Sequence, residues 1–524
     1  MNALLTLLLA TLLGPQAISP QAMKAHIDFL ASDLLEGREA GTRGYEIAAA
    51  YVAAQFAAAN VEPAGDDGTY LQQVHFRTYQ LDAEHSSFCI RLGDGPCEPF
   101  LHRQDVLIST SLEPDSQLDA AVVHAGFGIV ARSLGHDDYA NLDVRGKIVA
   151  ILSGAPPRFP PSERAIYSDS IGKLRTAAAH GAIGVITIRT LESECRFPWS
   201  RIISQDDGTV FRALDAAGRP MEIVPEIRAG ASLGTKAAEV LFRESPKPLD
   251  ALLADAEQSI AHSFAIDARI SIHAATTIGE RTSPNVAGVV RGSDPKLTAE
   301  YVALTAHLDH LGLASKGADR VRNGALDNAS GIAALIEIAR KVAALPRKPA
   351  RSMVFVAVTA EEKGEQGSLA FADRPTVRPI VANVNMDMLT MLYPLKSLVA
   401  LGIEHSTLGP LARDAAQRAG FVLEDDPLPE EVRFIRSDQY SFVKKGIPAI
   451  TFKGGFASLD PTIDGAKLTR EWMRNSYHSP SDGPDQKLDY ASGARWAAAN
   501  YHLVVAIANA KRRPEWNPGD LFAK

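Results

Sequence analysis

The period of apolar and polar positions changes twice along this 524-residue chain. From Ser19 to Ala59 it is helical. Ile27, Leu30, Leu34 and Leu35 recur at helical spacing, and so do Ile47, Ala48, Tyr51, Val52 and Phe56. The stretch EGREAGTRG between these two sets is punctuated by glycine and reads as a loop. Residues from about 70 to 110 read as strands with turns. Near Leu118 a different texture begins, with the short apolar β runs AAVVHAGFGIV and GKIVAILSG. KLRTAAAHGAIGVITI follows as a helix, a turn at Gly181 and a strand, and Pro-rich loops such as APPRFPPSER interrupt the series. This β-rich stretch ends near Ile272. After Thr282 come NVAGVVRG, EYVALTAH, RSMVFVAVTA, VANVNMD and IPAITF, several of them fully apolar, as buried central strands are. Helical patterns alternate with them. Ile332, Leu335, Ile336, Ala339 and Val342 mark one apolar helical face, and TLGPLARDAAQRAG and YASGARWAAANYHLVVAIANAKRR predict two more helices.

Strands alternating with helices predict an α/β domain, its mixed, mostly parallel sheet flanked by helices. The β-rich stretch predicts a domain inserted into it. The expected division is 1–17 as a signal peptide, 18–114 as the N-terminal part of the catalytic domain, 115–272 as the insertion and 273–524 as the catalytic domain proper. Composition changes this picture little: 46% hydrophobic and 22% charged residues fit a globular protein with a sizeable core. A net charge of −8 gives no basic face for nucleic acid. Leu4 to Leu13 has the length of a signal-peptide apolar region and is broken by Gly14 and Pro15, with Ala17 as a cleavage residue, although no Lys or Arg precedes it. The expectation is a periplasmic or secreted protein without a stable membrane anchor after cleavage. Three cysteines are too few for a disulfide scaffold. Cys89 and Cys97 are placed to close a small loop in an oxidising compartment, which leaves Cys195 free.

Chemistry concentrates in the C-terminal half. His307, Asp327, Glu362, Asp387 and His478 lie where apolar runs give way to polar sequence. Ligands in open α/β sheets gather outside the carboxyl ends of the strands, and His307, Glu361, Glu362 and Asp387 all follow β runs. Histidine and carboxylate without cysteine suit Zn²⁺, and also Mn²⁺ or Co²⁺. Five protein ligands are too many for one catalytic zinc with an open position but suffice for two ions if one carboxylate bridges. Asp327, between a glycine-rich loop and a helix, is the candidate bridge. Glu361 and Glu362 are adjacent, so on an extended backbone their side chains diverge. Glu362 is then free to bind metal while Glu361 serves as general base. Asp309, two residues after His307, is the expected acceptor of its ring N–H. His310, His405 and His502 are set aside as bystanders.

AHLDHLG, NGALDNASGIAALIEIAR, VAVTAEEKGEQGS, NVNMD, RSDQYSFVKKGIPAI and YHSPSD resemble the co-catalytic zinc metallopeptidases. This family includes bacterial leucyl aminopeptidases, glutamate carboxypeptidase and the catalytically dead transferrin receptor. LLEGREAGTRGYEIAAAYVAAQF is similar as well, and LDVRGKIVAILSGAPPR with KLRTAAAHGAIGVITI resembles the protease-associated domain often inserted in these enzymes. The resemblance implies that His307 and Asp387 bind one zinc, Glu362 and His478 the other, and that Asp327 bridges both, followed by a cis peptide to Asn328. It gives Glu361 the general-base role and Asp309 the His-orienting one.

Two positions depart from the family pattern. Ser437-Asp438-Gln439 stands where many relatives read Ser-Asp-His, and Phe434 where some aminopeptidases carry a tyrosine that stabilises the oxyanion. Arg436, Tyr440 and a metal ion remain as alternatives for that task. The leading expectation is an exported aminopeptidase acting on peptides. A carboxypeptidase or dipeptidase of the glutamate-carboxypeptidase type is the alternative, with Arg433 or Arg436 to hold a substrate carboxylate. A non-enzymatic binding protein like the transferrin receptor is disfavoured by the intact ligand set. Oligomeric state and side-chain preference are not encoded in any of these patterns.

Overall fold

The computed structural model describes residues 17–205 and 208–523. The apolar run Leu4 to Leu13 lies outside the described residues. Four parallel strands form the centre of the main sheet, in the spatial order Ser352–Val358, Tyr301–His307, Ile380–Asn385 and Ala449–Gly454. Every residue in them is buried. Apolar runs of this kind need cover on both faces, and alternate side chains point to opposite sides. Met353, Phe355 and Ala357 accordingly join the core formed with the helices Pro20–Leu30, Arg43–Ala58, Ser330–Ala343 and Tyr490–Asn509. Val354, Val356 and Val358 pack on the other face with Phe371 of the helix Gln366–Asp373 and Phe442 of Gln439–Lys444.

The first helix starts at Pro20, with Ser19 accepting hydrogen bonds from the N–H groups of Gln21 and Ala22, and Thr42 caps the second in the same way. Ser330–Ala343 carries the apolar face read from the sequence, and Leu335 on it is fully buried. Leu335→Ala is expected to destabilise the protein by about 2–5 kcal/mol, because a packed core collapses only partly into such a cavity. A urea titration that leaves the midpoint unmoved would contradict this packing.

A strand of 28 residues, Ser263–Val290, ties the main sheet to a second one. Its later half pairs antiparallel with Leu71–Leu81 and with Ser352–Val358. Its earlier half pairs with Asp115–Ala125 and Ser87–Leu92. The change of texture between Ile272 and Thr282 therefore falls inside one continuous strand. From Asp115–Ala125 the second sheet runs on through Ile148–Leu152, Gly184–Ile188 and Ala229–Leu233, each parallel to its neighbour. It has its own core, with Phe88, Val122, Ile186, Phe242 and Ile270. Cys89 and Cys97 form a disulfide in this part, and Cys195 is free and exposed. Among the described residues no helix is long and apolar enough to cross a membrane.

Candidate metal centre

The five ligand candidates converge at the carboxyl ends of the parallel strands. His307 is the last residue of Tyr301–His307, Glu361 and Glu362 follow Ser352–Val358, and Asp387 follows Ile380–Asn385. Asp327 sits in the turn before the helix Ser330–Ala343, and its peptide bond to Asn328 is cis. His478 comes just after the helix Gly465–Asn475. Gly324 opens the Asp327 turn with φ +61°, and a Cβ there would lie 2.1 Å from the Asp327 carbonyl and 2.7 Å from the His310 ring. No other residue fits that position.

Two clusters share Asp327, one oxygen each. His307 Nε2 lies 3.2 Å from Asp327 Oδ1 and 3.5 Å from Asp387 Oδ1. His478 Nε2 lies 3.2 Å from Asp327 Oδ2 and 3.3 Å from Glu362 Oε2. The ligand atoms of His307, Asp327 and Asp387 all fall within 4.8 Å of one another, and so do those of His310, Asp327 and Glu362. His310 was set aside in the sequence, yet its Nδ1 is 2.7 Å from Glu362 Oε1. Burial pushes this imidazole down to about 4, so it is neutral and donates one N–H to Glu362. His478 Nε2 meets the other Glu362 oxygen as well as Asp327, so both histidines reach this carboxylate pair.

Asp309 takes part differently from the expectation. The acceptor 3.1 Å from His307 Nδ1 is its main-chain carbonyl. Its carboxylate accepts the N–H groups of Glu361 and Glu362, at 3.0 and 3.2 Å. The strand ends at His307, so the rule that places residues two apart on one face no longer holds at Asp309. Asp309 thus fixes both the tautomer of His307 and the backbone that aims the glutamate pair.

Electrostatics mark this as a place for cations. Burial, followed by the charges of neighbouring acids, holds the Glu361 carboxyl well above the usual range. It pushes Glu362 and Asp438 up to about 7 and Asp309 up to about 6. Asp327 goes the other way: hydrogen bonds from His307 and His478 outweigh its burial and hold it well below. Asp387 is also held low against its burial, by Lys453, whose Nζ is 2.9 Å from Oδ2, and by His307. Carboxylates packed this closely repel one another unless cations lie between them.

Several supporting residues had escaped the sequence reading. Arg38, from EGREAGTRG, is buried beneath the centre, where its guanidinium donates to the carbonyls of Leu308 and Gly324 at 3.0 and 3.1 Å, and to those of Leu30 and Asn323. Asp482 accepts the N–H groups of Leu326 and Asp327 at 2.9 and 3.0 Å. Tyr477 stacks on His478 with ring centroids 3.7 Å apart. Burial holds its phenol well above its ordinary range, so the O–H stays protonated and able to donate.

A cleft opens onto the centre. His307, Asp327, Glu361 and Asp387 form its floor. Its walls include Met388, Phe456 and Met473 with Arg433, Arg436, Lys453 and Tyr477. The two departures from the family pattern lie outside it. Phe434 packs on His405 at 5.8 Å, and Gln439 is buried between Asn385 and the Phe434 carbonyl. Tyr440 lies under Lys444. Of the residues considered for the oxyanion, Arg436 alone lines the cleft, and Tyr477 joins it.

Residues 285–504 match the family model described as Peptidase family M28. The aminopeptidase YwaD of Bacillus subtilis (strain 168) is similar, at 26% identity over 239 residues, which are 44% of this chain and 46% of that protein. The match thus spans a little under half the length of this curated relative. Among solved structures, an aminopeptidase from Aneurinibacillus sp. strain AM-1 superposes with a TM-score of 0.54 at 20% identity, over 97% of this chain and 96% of that one. At that identity the likeness establishes the fold, a mixed α/β sheet flanked by helices.

Proposed function

We propose that this chain, whose residues 285–504 match the model of peptidase family M28, belongs to that family and is an exported, metal-dependent aminopeptidase that removes N-terminal residues from peptides. The observation that carries the reading is Asp327, whose two oxygens face two separate His–carboxylate pairs. His307 and Asp387 would hold one divalent ion, Glu362 and His478 the other, and Asp327 both. The donor set of imidazole and carboxylate suits zinc. A bound zinc pair supplies Lewis acidity, which acidifies water to near-neutral pKa and polarises a carbonyl.

The chain's own groups do the rest. Glu361, buried at the cleft floor, is the base that takes a proton from the attacking water and returns it to the leaving amine. Asp309 and His310 hold the ligands in orientation. Tyr477 is placed to donate its O–H to the oxygen that gains charge. Tyr477→Phe is expected to lower kcat by about 10²–10³-fold, the usual effect of removing one such donor, with zinc content unchanged by elemental analysis. A kcat near that of the wild type would assign the donor elsewhere.

A carboxypeptidase or dipeptidase is the second reading, because Arg433 and Arg436 both line the cleft, although each already has one acid partner, Asp426 for Arg433 and Glu431 at 2.8 Å for Arg436. The second sheet is proposed as an inserted domain of the protease-associated kind that supplies no metal ligand; it begins near Ser87 and not at the expected residue 115, because Ser87–Leu92 and Val106–Ile108 pair within it. The Cys89–Cys97 disulfide supports an oxidising, extracytoplasmic location. The mature protein is expected to begin near Ile18, which N-terminal sequencing checks; an intact Met1 on cytoplasmic protein would reject export. The functional test compares aminoacyl p-nitroanilides with their N-blocked forms, with and without a chelator. Hydrolysis of the unblocked set alone, abolished by chelation and restored by zinc, is expected. Preference for N-blocked substrates would overturn the aminopeptidase reading.

A further inference from the structure

We infer that Arg201, in the β-rich region and remote in sequence from every candidate ligand, is a positioning residue for Tyr477 and His478. The inference rests on the function proposed above. The helix Gly465–Asn475 runs straight into these two residues, and its last carbonyls lack partners inside the helix. Arg201 supplies partners for two of them. Its Nη1 donates to the carbonyls of Met473 and Arg474, at 3.1 and 3.4 Å, and its Nη2 donates to the carbonyl of Tyr477. A cation at a helix C-terminus is favourable in itself. The third bond matters more, because that carbonyl belongs to the peptide plane joining Tyr477 to His478. His478 has φ +59°, a left-handed conformation that a histidine adopts at a cost. The Arg201 bond is one hold on that plane, and its loss would leave the imidazole less firmly aimed at Asp327 and Glu362.

The same stretch braces the Tyr477 ring. The Arg201 guanidinium lies over it at 5.8 Å, and the Phe197 ring is 6.5 Å away. Phe197 is itself surrounded by the guanidiniums of Arg196, Arg201 and Arg436, at 5.3, 5.6 and 5.6 Å. Arg196 reaches the opposite wall of the cleft, donating to the Glu430 carbonyl at 2.7 Å. Residues 196–201 therefore touch both the wall that carries His478 and the wall that carries Arg436.

A plain structural role would be to fasten the β-rich region to the rest. Another contact offers the comparison. Ser162 Oγ is 2.7 Å from His405 Nε2, and His405 Nδ1 is 2.8 Å from Asp520. Glu404 also lies 3.1 Å from Nε2, so acids flank both ring nitrogens and the imidazole is not a free base for the serine. This is a joint between the two parts, and neither Ser162 nor His405 lines the catalytic cleft.

The test uses the full chain, stripped of metal and titrated with zinc against a chromogenic chelator, then assayed on an aminoacyl p-nitroanilide. Arg201→Ala is expected to weaken the weaker zinc site and lower kcat by about 10–100-fold each, the usual effect of losing a group that orients a metal ligand. KM should change little, and millimolar guanidinium should restore part of both losses. Ser162→Ala should stay within about 2-fold of wild type on both readouts, as substitutions away from such features do. Wild-type zinc affinity and turnover in Arg201→Ala, or equal losses in Ser162→Ala, would overturn the inference. If Arg201→Ala does not fold, Arg201→Lys replaces it, since an ammonium cannot span three carbonyls and must show the same direction of loss. The zinc titration needs no substrate. A wild-type protein that binds zinc but hydrolyses nothing would sink the proposed function and leave the Arg201 comparison readable.

Discussion

Glu361→Gln is expected to reduce kcat by about 100- to 10,000-fold while the protein keeps its full complement of metal. Glutamine matches glutamate in size and shape but does not take up a proton. Glu361 lines the floor of the cleft beside His307 and Asp387, and neither of the two ligand clusters includes it. Its backbone N–H is fixed by the Asp309 carboxylate at 3.0 Å, and the glutamine variant retains that bond. Competitive inhibitors should therefore bind almost normally. The burial and acid neighbours that hold the Glu361 carboxyl high in the metal-free protein would be offset by cations alongside, bringing the group towards the range a general base needs near neutral pH. Glu362→Gln makes the contrast: it should lose metal first and rate as a consequence. Retention of more than about a tenth of wild-type kcat in Glu361→Gln, against that expected range, would assign the proton transfer to another group.

The parts of this centre that were legible in the sequence are those carried by local pattern. Tyr301–His307 and Ser352–Val358 are mainly apolar and wholly buried because both faces of their sheet are covered, and the polar residue ending such a run lies at the rim where ligands bind. His307, Glu362 and Asp387 were found that way, and the structure brings them together with Asp327 and His478. Beyond local pattern the sequence carries less. Strand geometry misplaces Asp309 because it lies two residues beyond the end of its strand. His310 was dismissed because nothing local distinguishes a buried supporting histidine from a polar cap. Arg38 and Asp482 reach the Asp327 turn from sequence distances of 286 and 156 residues, which no short motif records. Arg201 is the extreme case, reaching from the short helix Trp199–Gln205 to the carbonyl that precedes His478. The long strand Ser263–Val290 hid in the same way: its early half alternates buried with exposed residues such as Asp267 and Arg269, its last eight residues are wholly buried, and its backbone continues through the change.

Asp327→Asn is expected to have the larger effect on metal. The shared carboxylate offers one anionic oxygen to each cluster, 3.2 Å from His307 and 3.2 Å from His478. An asparagine at the same position presents one neutral oxygen and one N–H₂ group, and the latter repels a cation. One cluster then loses its central anion and the other keeps only a weaker donor, so both ions should leave together. This differs from the loss of Asp387 or Glu362, each of which belongs to one cluster and should release one ion before the other. Without cations the pKa of water returns towards about 15.7, and turnover should fall below about a thousandth of wild type. The fold should persist: Asp482 would still accept the N–H groups of residues 326 and 327, and Asn328 that of Gly331. Elemental analysis with circular dichroism separates these effects. An Asp327→Asn protein that is folded, holds one ion per chain at wild-type affinity and retains turnover would show that the two clusters do not share this ligand. The centre would then have to work with a single metal.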